Sequence, residues 1–407
     1  MPIPRGLSII AALLLLSAGA CSPRLILETL SGGSGCRALT VIQGEVSSFR
    51  WFTPGGTARE QLNSWCAAVG PAVYYAPDTT AATAPVIATA ESSDNARALA
   101  QLPLADSVLF VSWNNAIGAG DLHGVVEDLR AGRLTGGGEV THFVLLLQEV
   151  YRAGADIPDV VAGAETAGEA AFVPGRERRE IIVAARELGL YLLYVPSMRS
   201  GDSNEPSRKE DRGNAIMSSL PLTPVAAIEL PVMAQRRVVP VAHIDARSRD
   251  DRRWTMQVAS LHLDHSSGGL FRNPERARLI QAETFLAGIP DARMAAVGGD
   301  LNTWRRGPTE LIVHRIAERY PHTPPIPPGP TYVRGAGVVR EYLDYLFFRV
   351  PDGDVWDYQR VPDLYGSDHF PFFVWVRPLR PGAASQSANS PGRRRAVRQR
   401  SRLSAAM

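Results

Sequence analysis

The sequence predicts a layered α/β fold for its central part, on three observations. From Ser107 onward the chain breaks into short apolar runs, several of them alternating or β-branched as strands are. Between some of these runs lie stretches with apolar residues at three- and four-residue spacing, as amphipathic helices have. At 407 residues with 45% hydrophobic content, the chain is long and apolar enough to bury a large core, so strands mixed with helices imply packed layers.

The strand-like runs cover 108–111, 143–147, 181–194, 238–244, 255–261, 294–297 and 342–348, and the helical spacing covers 122–131, 177–188 and 275–287. Proline crowds 321–330, and glycine marks Gly335 and Gly337, which predicts a loop before the last strands. No internal repeat is visible.

The two ends read differently. Arg5, an apolar run over 7–16, and the small residues Ser17, Ala18, Gly19 and Ala20 ahead of Cys21 form the pattern of an export signal. The run is shorter than the roughly 20 residues a membrane span needs. Residues 1–20 are therefore set aside, and the mature protein is expected to be exported, periplasmic or secreted. Ala20 fits an ordinary cleavage site. Cys21 equally resembles a bacterial lipoprotein acceptor, though Ala18 stands where Leu is usual, and a lipidated Cys21 would tether the protein to the outer membrane.

Residues 21–104 lack any catalytic pattern and end in an Ala/Thr/Ser-rich stretch, so they read as an N-terminal appendage to a catalytic domain over 105–376. Cys36 and Cys66 are the remaining cysteines. In an oxidising compartment they can bridge, the alternative being two buried thiols. Residues 377–407 mix Pro, Ser, Ala and Gln with eight Arg and no acid, and disorder is expected there. Setting aside those arginines and Arg5 leaves 34 basic residues against 41 acidic, a net charge near −7. That argues against a broad cationic face for nucleic acid.

Seven segments carry chemistry. Asp300 and Asn302 follow an apolar run directly, behind Gly298 and Gly299, so both side chains can enter one cleft. An acid there can orient and deprotonate water while the amide binds a phosphate oxygen, the alternative being an Asx-rich turn. Asp368 and His369 sit side by side before the run 370–376, able to meet a metal and a phosphate. Gln148 and Glu149 end another run, where a carboxylate is a hard-oxygen ligand for Mg²⁺ or Mn²⁺. Asn114 and His262 each close a run. Asp344 lies among Leu343, Tyr345 and Leu346, where a carboxylate needs a partner, and His369 is the obvious one. Asn214, behind Gly213, either reaches substrate or steadies its strand.

Taken in order, Asn114, Gln148-Glu149, the stretch 213–218 around Asn214, His262, Asp300-Leu301-Asn302, Asp344 and Ser367-Asp368-His369 resemble the endonuclease/exonuclease/phosphatase superfamily over about residues 107–376. The resemblance implies a four-layered α/β sandwich, two mixed β-sheets packed face to face with helices outside. It implies a divalent-metal-dependent phosphoesterase, with metal at Glu149, Asn114 and Asp368 and water activated by Asp300. It places the scissile phosphate on Asn302 and His262, with His369 oriented by Asp344. A hard cation and protonated imidazoles would neutralise the phosphate during in-line attack.

The superfamily includes nucleases, inositol-phosphate phosphatases and sphingomyelin phosphodiesterases. A monomeric nuclease is expected first, a lipid or inositol-phosphate hydrolase second, and a noncatalytic surface binding protein third. Gly269-Leu270-Phe271 is a short apolar loop near His262 that a lipid enzyme could use.

Overall fold

The computed structural model describes residues 27–30, 34–55, 58–77, 99–159, 178–200, 209–265, 273–322, 326–335 and 337–381. The export signal, Cys21, most of the Ala/Thr/Ser-rich stretch, the loop 269–271 and the tail beyond 381 lie outside these residues. Among the described residues the strands are, in chain order, β1 (Leu27–Leu30), β2 (Leu39–Gln43), β3 (Phe49–Pro54), β4 (Ala72–Tyr75), β5 (Val108–Asn114), β6 (Phe143–Ala153), β7 (Tyr191–Arg199), β8 (Glu210–Ser218), β9 (Val225–Glu229), β10 (Val238–Arg247), β11 (Arg253–His262), β12 (Ala295–Asp300), β13 (Tyr332–Arg334), β14 (Val339–Glu341), β15 (Asp344–Arg349), β16 (Asp354–Arg360) and β17 (Phe372–Arg377).

They form two mixed sheets and a small ribbon. One sheet runs β1-β3-β9-β10-β11-β12-β15, the other β16-β17-β5-β6-β8-β7-β4-β2, and β13 pairs with β14. Alternation along the strands decides which side chains meet. Phe110, Leu146 and Ile216 of the second sheet pack with Ala242, Val258, Ala296 and Phe348 of the first, closing a core between the sheets. The opposite positions of the second sheet, Leu109, Leu145 and Leu147, bury Val125, Leu129, Ile181 and Ala185 of the helices Leu122–Arg130 and Ile181–Leu188. Val241, Leu261 and Val297 of the first sheet bury Phe285 and Ile316 of the helices Pro274–Gly288 and Leu311–Arg319. The result is a four-layered α/β sandwich, and no described helix is long and apolar enough to cross a membrane.

Two expectations change. The run 181–194 is a helix followed by β7. Ile181, Ala184, Ala185 and Leu188 share one buried helical face, the Glu180 carboxylate accepts from the Val183 N–H, and Gly189, at φ 64°, ends the helix. Residues 27–77 are no appendage, because they complete both sheets. β3 pairs with β9 and β4 with β7, so the N-terminal segment covers strand edges that would otherwise stand open and buries Trp51 and Tyr74. Buried Glu229 ties this segment down, accepting from Thr53 at 2.7 Å, Arg236 at 2.7 Å and Arg37 at 2.9 Å.

Cys36 and Cys66 are joined in a disulfide across 30 residues of chain. Closing a loop of that length is worth about 3–4 kcal/mol in the chain-entropy account. Replacing both cysteines with Ser is expected to lower stability by that order, read as a drop in Tm that reductant reproduces in the unsubstituted protein.

Candidate active site

The site is built where strand ends from both sheets meet. β11, β12 and β15 lie side by side in register so that His262 faces Asp300 and Asp300 faces Asp344. Gly299 permits this approach: its φ is 154°, and a Cβ there would stand 1.7 Å from the Leu261 carbonyl oxygen. Asp344 is fully buried, and its Oδ2 lies 2.7 Å from His369 Nδ1. The loop carrying His369 is pinned in turn. The Trp113 indole donates to the His369 carbonyl at 2.9 Å, and the Ser367 hydroxyl donates to the Asn114 carbonyl at 2.7 Å. Tyr332 bridges to His369 and packs edge-on to its ring at 4.9 Å.

From the other sheet, Asn114 ends β5 opposite Gln148 of β6. Its Nδ2 donates to Asp300 Oδ2 at 3.1 Å, joining the sheets at the site, while its Oδ1 accepts from the Ala116 N–H at 3.1 Å. Gln148 is spent inside, donating to Leu146 O and Ser260 Oγ. Glu149 sits where the β6–β8 pairing is irregular, between Leu147 and Val150, and has φ 51°. Such a bulge re-aims a side chain that regular alternation would send elsewhere.

Charge in this cluster is set by burial and by neighbours. Burial, and then Asp344, raise the Asp300 carboxyl to about 7. Burial alone would lower His369, but Asp344, Asp300 and Asp368 outweigh it and raise the imidazole to about 10. His262 goes the other way, pushed well below its ordinary value by burial and by Arg237, whose Nη1 lies 3.0 and 3.2 Å from the two ring nitrogens. The expectation of two protonated imidazoles is therefore corrected: His369 is the cation, His262 is neutral, and Arg237 carries the positive charge beside it.

Asp300, Asp344 and His369 have donor atoms within 4.8 Å of one another and could hold a cation. The hydrogen bond between Asp344 and His369 already occupies one atom of each, however. Glu149 and Asp368 form a second candidate. Burial raises the Asp368 carboxyl, His369 lowers it, and the nearby Glu149 charge raises it further. With Asn114 paired to Gln148, the residue before Glu149, these carboxylates and the amide are hard-oxygen donors of the kind Mg²⁺ or Mn²⁺ takes.

Two amides are engaged by neighbouring groups. The Asn302 Nδ2 donates to Leu263 O at 2.9 Å and its Oδ1 accepts from the Trp304 indole at 3.0 Å, which leaves one N–H for a phosphate. The Asn214 Nδ2 donates to Val238 O at 2.9 Å, tying β8 to β10 across the sheets, a strand-steadying role. Because an indole N–H is only a donor, Trp304 fixes which way the Asn302 amide points. Trp304→Phe is expected to lower kcat by about 3- to 10-fold through loss of one hydrogen bond, with KM little changed in a steady-state assay.

Sequence reasoning missed Arg212 and Arg237, both buried at the site, and Asp264, which accepts from the Ala234 N–H at 2.8 Å and lies 3.5 Å from Arg237 Nε. The available signal was a pair of arginines, Arg236 and Arg237, at the head of an apolar strand. Arg278 is a buried partner of Glu310 at 2.8 and 2.9 Å.

The chain is similar to the model of the Endonuclease/Exonuclease/phosphatase family over residues 60–369. Among solved structures it is similar to an endonuclease/exonuclease/phosphatase from Beutenbergia cavernae DSM 12333, at 18% identity and TM-score 0.47, over 67% of this chain and 72% of that one. A family protein from Leptotrichia buccalis C-1013-b matches at 15% identity and TM-score 0.44, over 66% of this chain and 98% of that one. A humanized TDP2 of D. rerio matches at 13% identity and TM-score 0.38, over 67% and 99%. No curated protein matches the chain.

Proposed function

This chain belongs to the endonuclease/exonuclease/phosphatase family, and we propose that it is a divalent-metal-dependent phosphodiesterase that hydrolyses nucleic acid after export. The observation that carries the reading is the in-register meeting of His262, Asp300 and Asp344, with His369 on Asp344 and Asn114 on Asp300.

Asp300 is the group that takes a proton from water, and its raised carboxyl is matched to work near neutrality. Asn114 and the backbone N–H of Asn302, 2.8 Å from Asp300 Oδ1, hold that carboxylate in place. Asp344 holds His369 as an imidazolium able to donate to a phosphate or leaving-group oxygen, while neutral His262 and the remaining Asn302 N–H bind the phosphate. Glu149, Asp368 and Asn114 Oδ1 would hold a divalent cation, which would supply Lewis-acid neutralisation of the phosphate charge. Nucleic acid stands first because an exported enzyme meets it abundantly. In the lipidated reading Cys21 tethers the monomer to the membrane.

The test is incubation of the mature chain with Mg²⁺ or Mn²⁺ and plasmid DNA, RNA, sphingomyelin vesicles or inositol phosphates, with Glu149→Ala and His369→Ala alongside. Nucleic-acid cleavage lost in both variants supports the reading. Lipid or inositol-phosphate turnover moves the protein to those substrates, and silence on all of them favours a binding protein. The pH profile of kcat/KM is expected to be bell-shaped. Activity rises as Asp300 loses its proton through about 7 and falls as His369 loses its proton through about 10. Because Asp344 raises His369, Asp344→Asn is expected to move the alkaline limb to lower pH.

A further inference from the structure

We infer that the cleft holds a subsite for a second phosphate of the substrate, formed by Arg212 of β8 and Arg237 at the head of β10. The inference rests on the phosphodiesterase reading and names the substrate class for it.

The two arginines come from facing sheets to one place. Along β8, Ile216 points into the core between the sheets, and Asn214 shares its face and reaches Val238 O of β10. Arg212 continues that face toward the strand end, just as Arg237 precedes Val238. The two side chains come near enough for the Arg237 charge to act on Arg212, and both act on His262.

Arg212 is only 8% exposed and Arg237 only 5%. Among the described residues, Arg212 makes no hydrogen bond or ion pair with its guanidinium, whereas Arg237 already has Asp264 3.5 Å from its Nε and donates to Gln235 Oε1 at 2.9 Å. Removing a guanidinium from water without a partner is costly, so a buried and unspent Arg calls for an anion. Two guanidiniums near each other sharpen the demand. Burial, with Arg237 and Arg178 nearby, works against the charge on Arg212, and Glu149 and Glu210 only partly compensate.

The anion these groups fit is a phosphate, since a guanidinium presents paired donors that match its oxygens. It is not the scissile phosphate, which falls to His262, His369 and the free Asn302 N–H beside Asp300. Because Arg237 touches His262, the subsite adjoins the reacting group on that side. A polynucleotide backbone or an inositol polyphosphate places a second phosphate close to the first. A phosphocholine headgroup would bring a cation to two arginines.

The test compares kcat/KM of the mature chain with Mg²⁺ on a thymidine dinucleotide with and without a 5′-phosphate, on inositol mono- and bisphosphate, on bis(p-nitrophenyl) phosphate and on sphingomyelin vesicles. The extra phosphate is expected to raise kcat/KM at least tenfold, chiefly through KM. Arg212→Gln and Arg237→Gln should abolish that gain, and Arg212→Lys should retain part of it. A dinucleotide preference identifies nucleic acid as the source of the second phosphate, and an inositol-bisphosphate preference identifies the polyol; either supports the subsite. Indifference to the second phosphate, an equal loss in Arg212→Gln on all substrates, or sphingomyelin as the best substrate overturns it. Calorimetric titration with pyrophosphate separates this from the activity itself. If bis(p-nitrophenyl) phosphate is not turned over, the hydrolase reading fails, yet tenfold weaker pyrophosphate binding in Arg212→Gln still supports the subsite and unchanged binding overturns it.

Discussion

Asp300→Asn is expected to lower kcat/KM for phosphodiester hydrolysis by roughly 10³- to 10⁴-fold, the upper range for loss of a positioned general base, with KM and the fold retained. The substitution is nearly isosteric. The Asn302 N–H and the Asn114 amide donate to different oxygens of Asp300, and an Asn offers one acceptor oxygen, so one of these two hydrogen bonds is kept and the other is lost. What disappears is the ability to accept a proton. The acidic limb of the pH profile near 7 should disappear with it, leaving residual activity flat below neutrality.

Stability should move oppositely to activity. The folded-state carboxyl is raised, so as pH climbs from about 4 toward 7 the unfolded chain gives up this proton first and folding is progressively disfavoured. The Asn variant escapes that loss. Whatever the lost hydrogen bond costs at both ends, the Tm of the Asn variant relative to the unsubstituted protein is expected to rise between pH 4 and pH 8. A Tm difference that stays the same between those pH values would show that the Asp300 carboxyl is not raised in the folded protein.

Part of this site was legible because local pattern and chemistry agree. Asp300 and Asn302 stand directly behind Gly298 and Gly299, and Asp344 is an acid inside an apolar run, so each carried its own signal. The pairing of Asp344 with His369 could be named because a buried carboxylate has few other solutions. The rest depended on long-range geometry. The pair Arg236-Arg237 is a weak local mark and Arg212 has none, and Arg212 and Arg237 become neighbours only when β8 and β10 face each other across the core. The protonation states of His262 and His369 could not be told apart, since both end or precede apolar strands and only their neighbours, an arginine against an aspartate, divide them. Residues 27–77 looked peripheral because they hold no catalytic pattern, yet edge strands are recruited by partners far along the chain.

The second large effect is expected at Glu149, a residue for which the sequence could offer only its place at a strand end. Glu149→Ala should reduce metal-supported activity by roughly 10³-fold or more and weaken Mn²⁺ binding, followed by calorimetry, by at least about tenfold. The backbone supplies an independent argument. At φ 51°, outside the range a non-glycine residue ordinarily adopts, Glu149 holds a conformation that costs about 1 kcal/mol or more and persists only where the surroundings enforce it. Glu149→Gly relieves that strain, so this variant should be inactive yet as stable as the unsubstituted chain, or slightly more so, in thermal unfolding. Asp368 reports on the same charge from across the site. With Glu149 neutralised, the Asp368 carboxyl loses the neighbour that helps raise it and should titrate at lower pH, a shift measurable by carboxyl-selective infrared or NMR titration without metal. A stable Glu149→Gly that binds Mn²⁺ as tightly as the unsubstituted protein would move the metal to Asp300, Asp344 and His369. A variant that loses both metal and activity while keeping its Tm places the cation at Glu149 and Asp368, whose charges already act on each other.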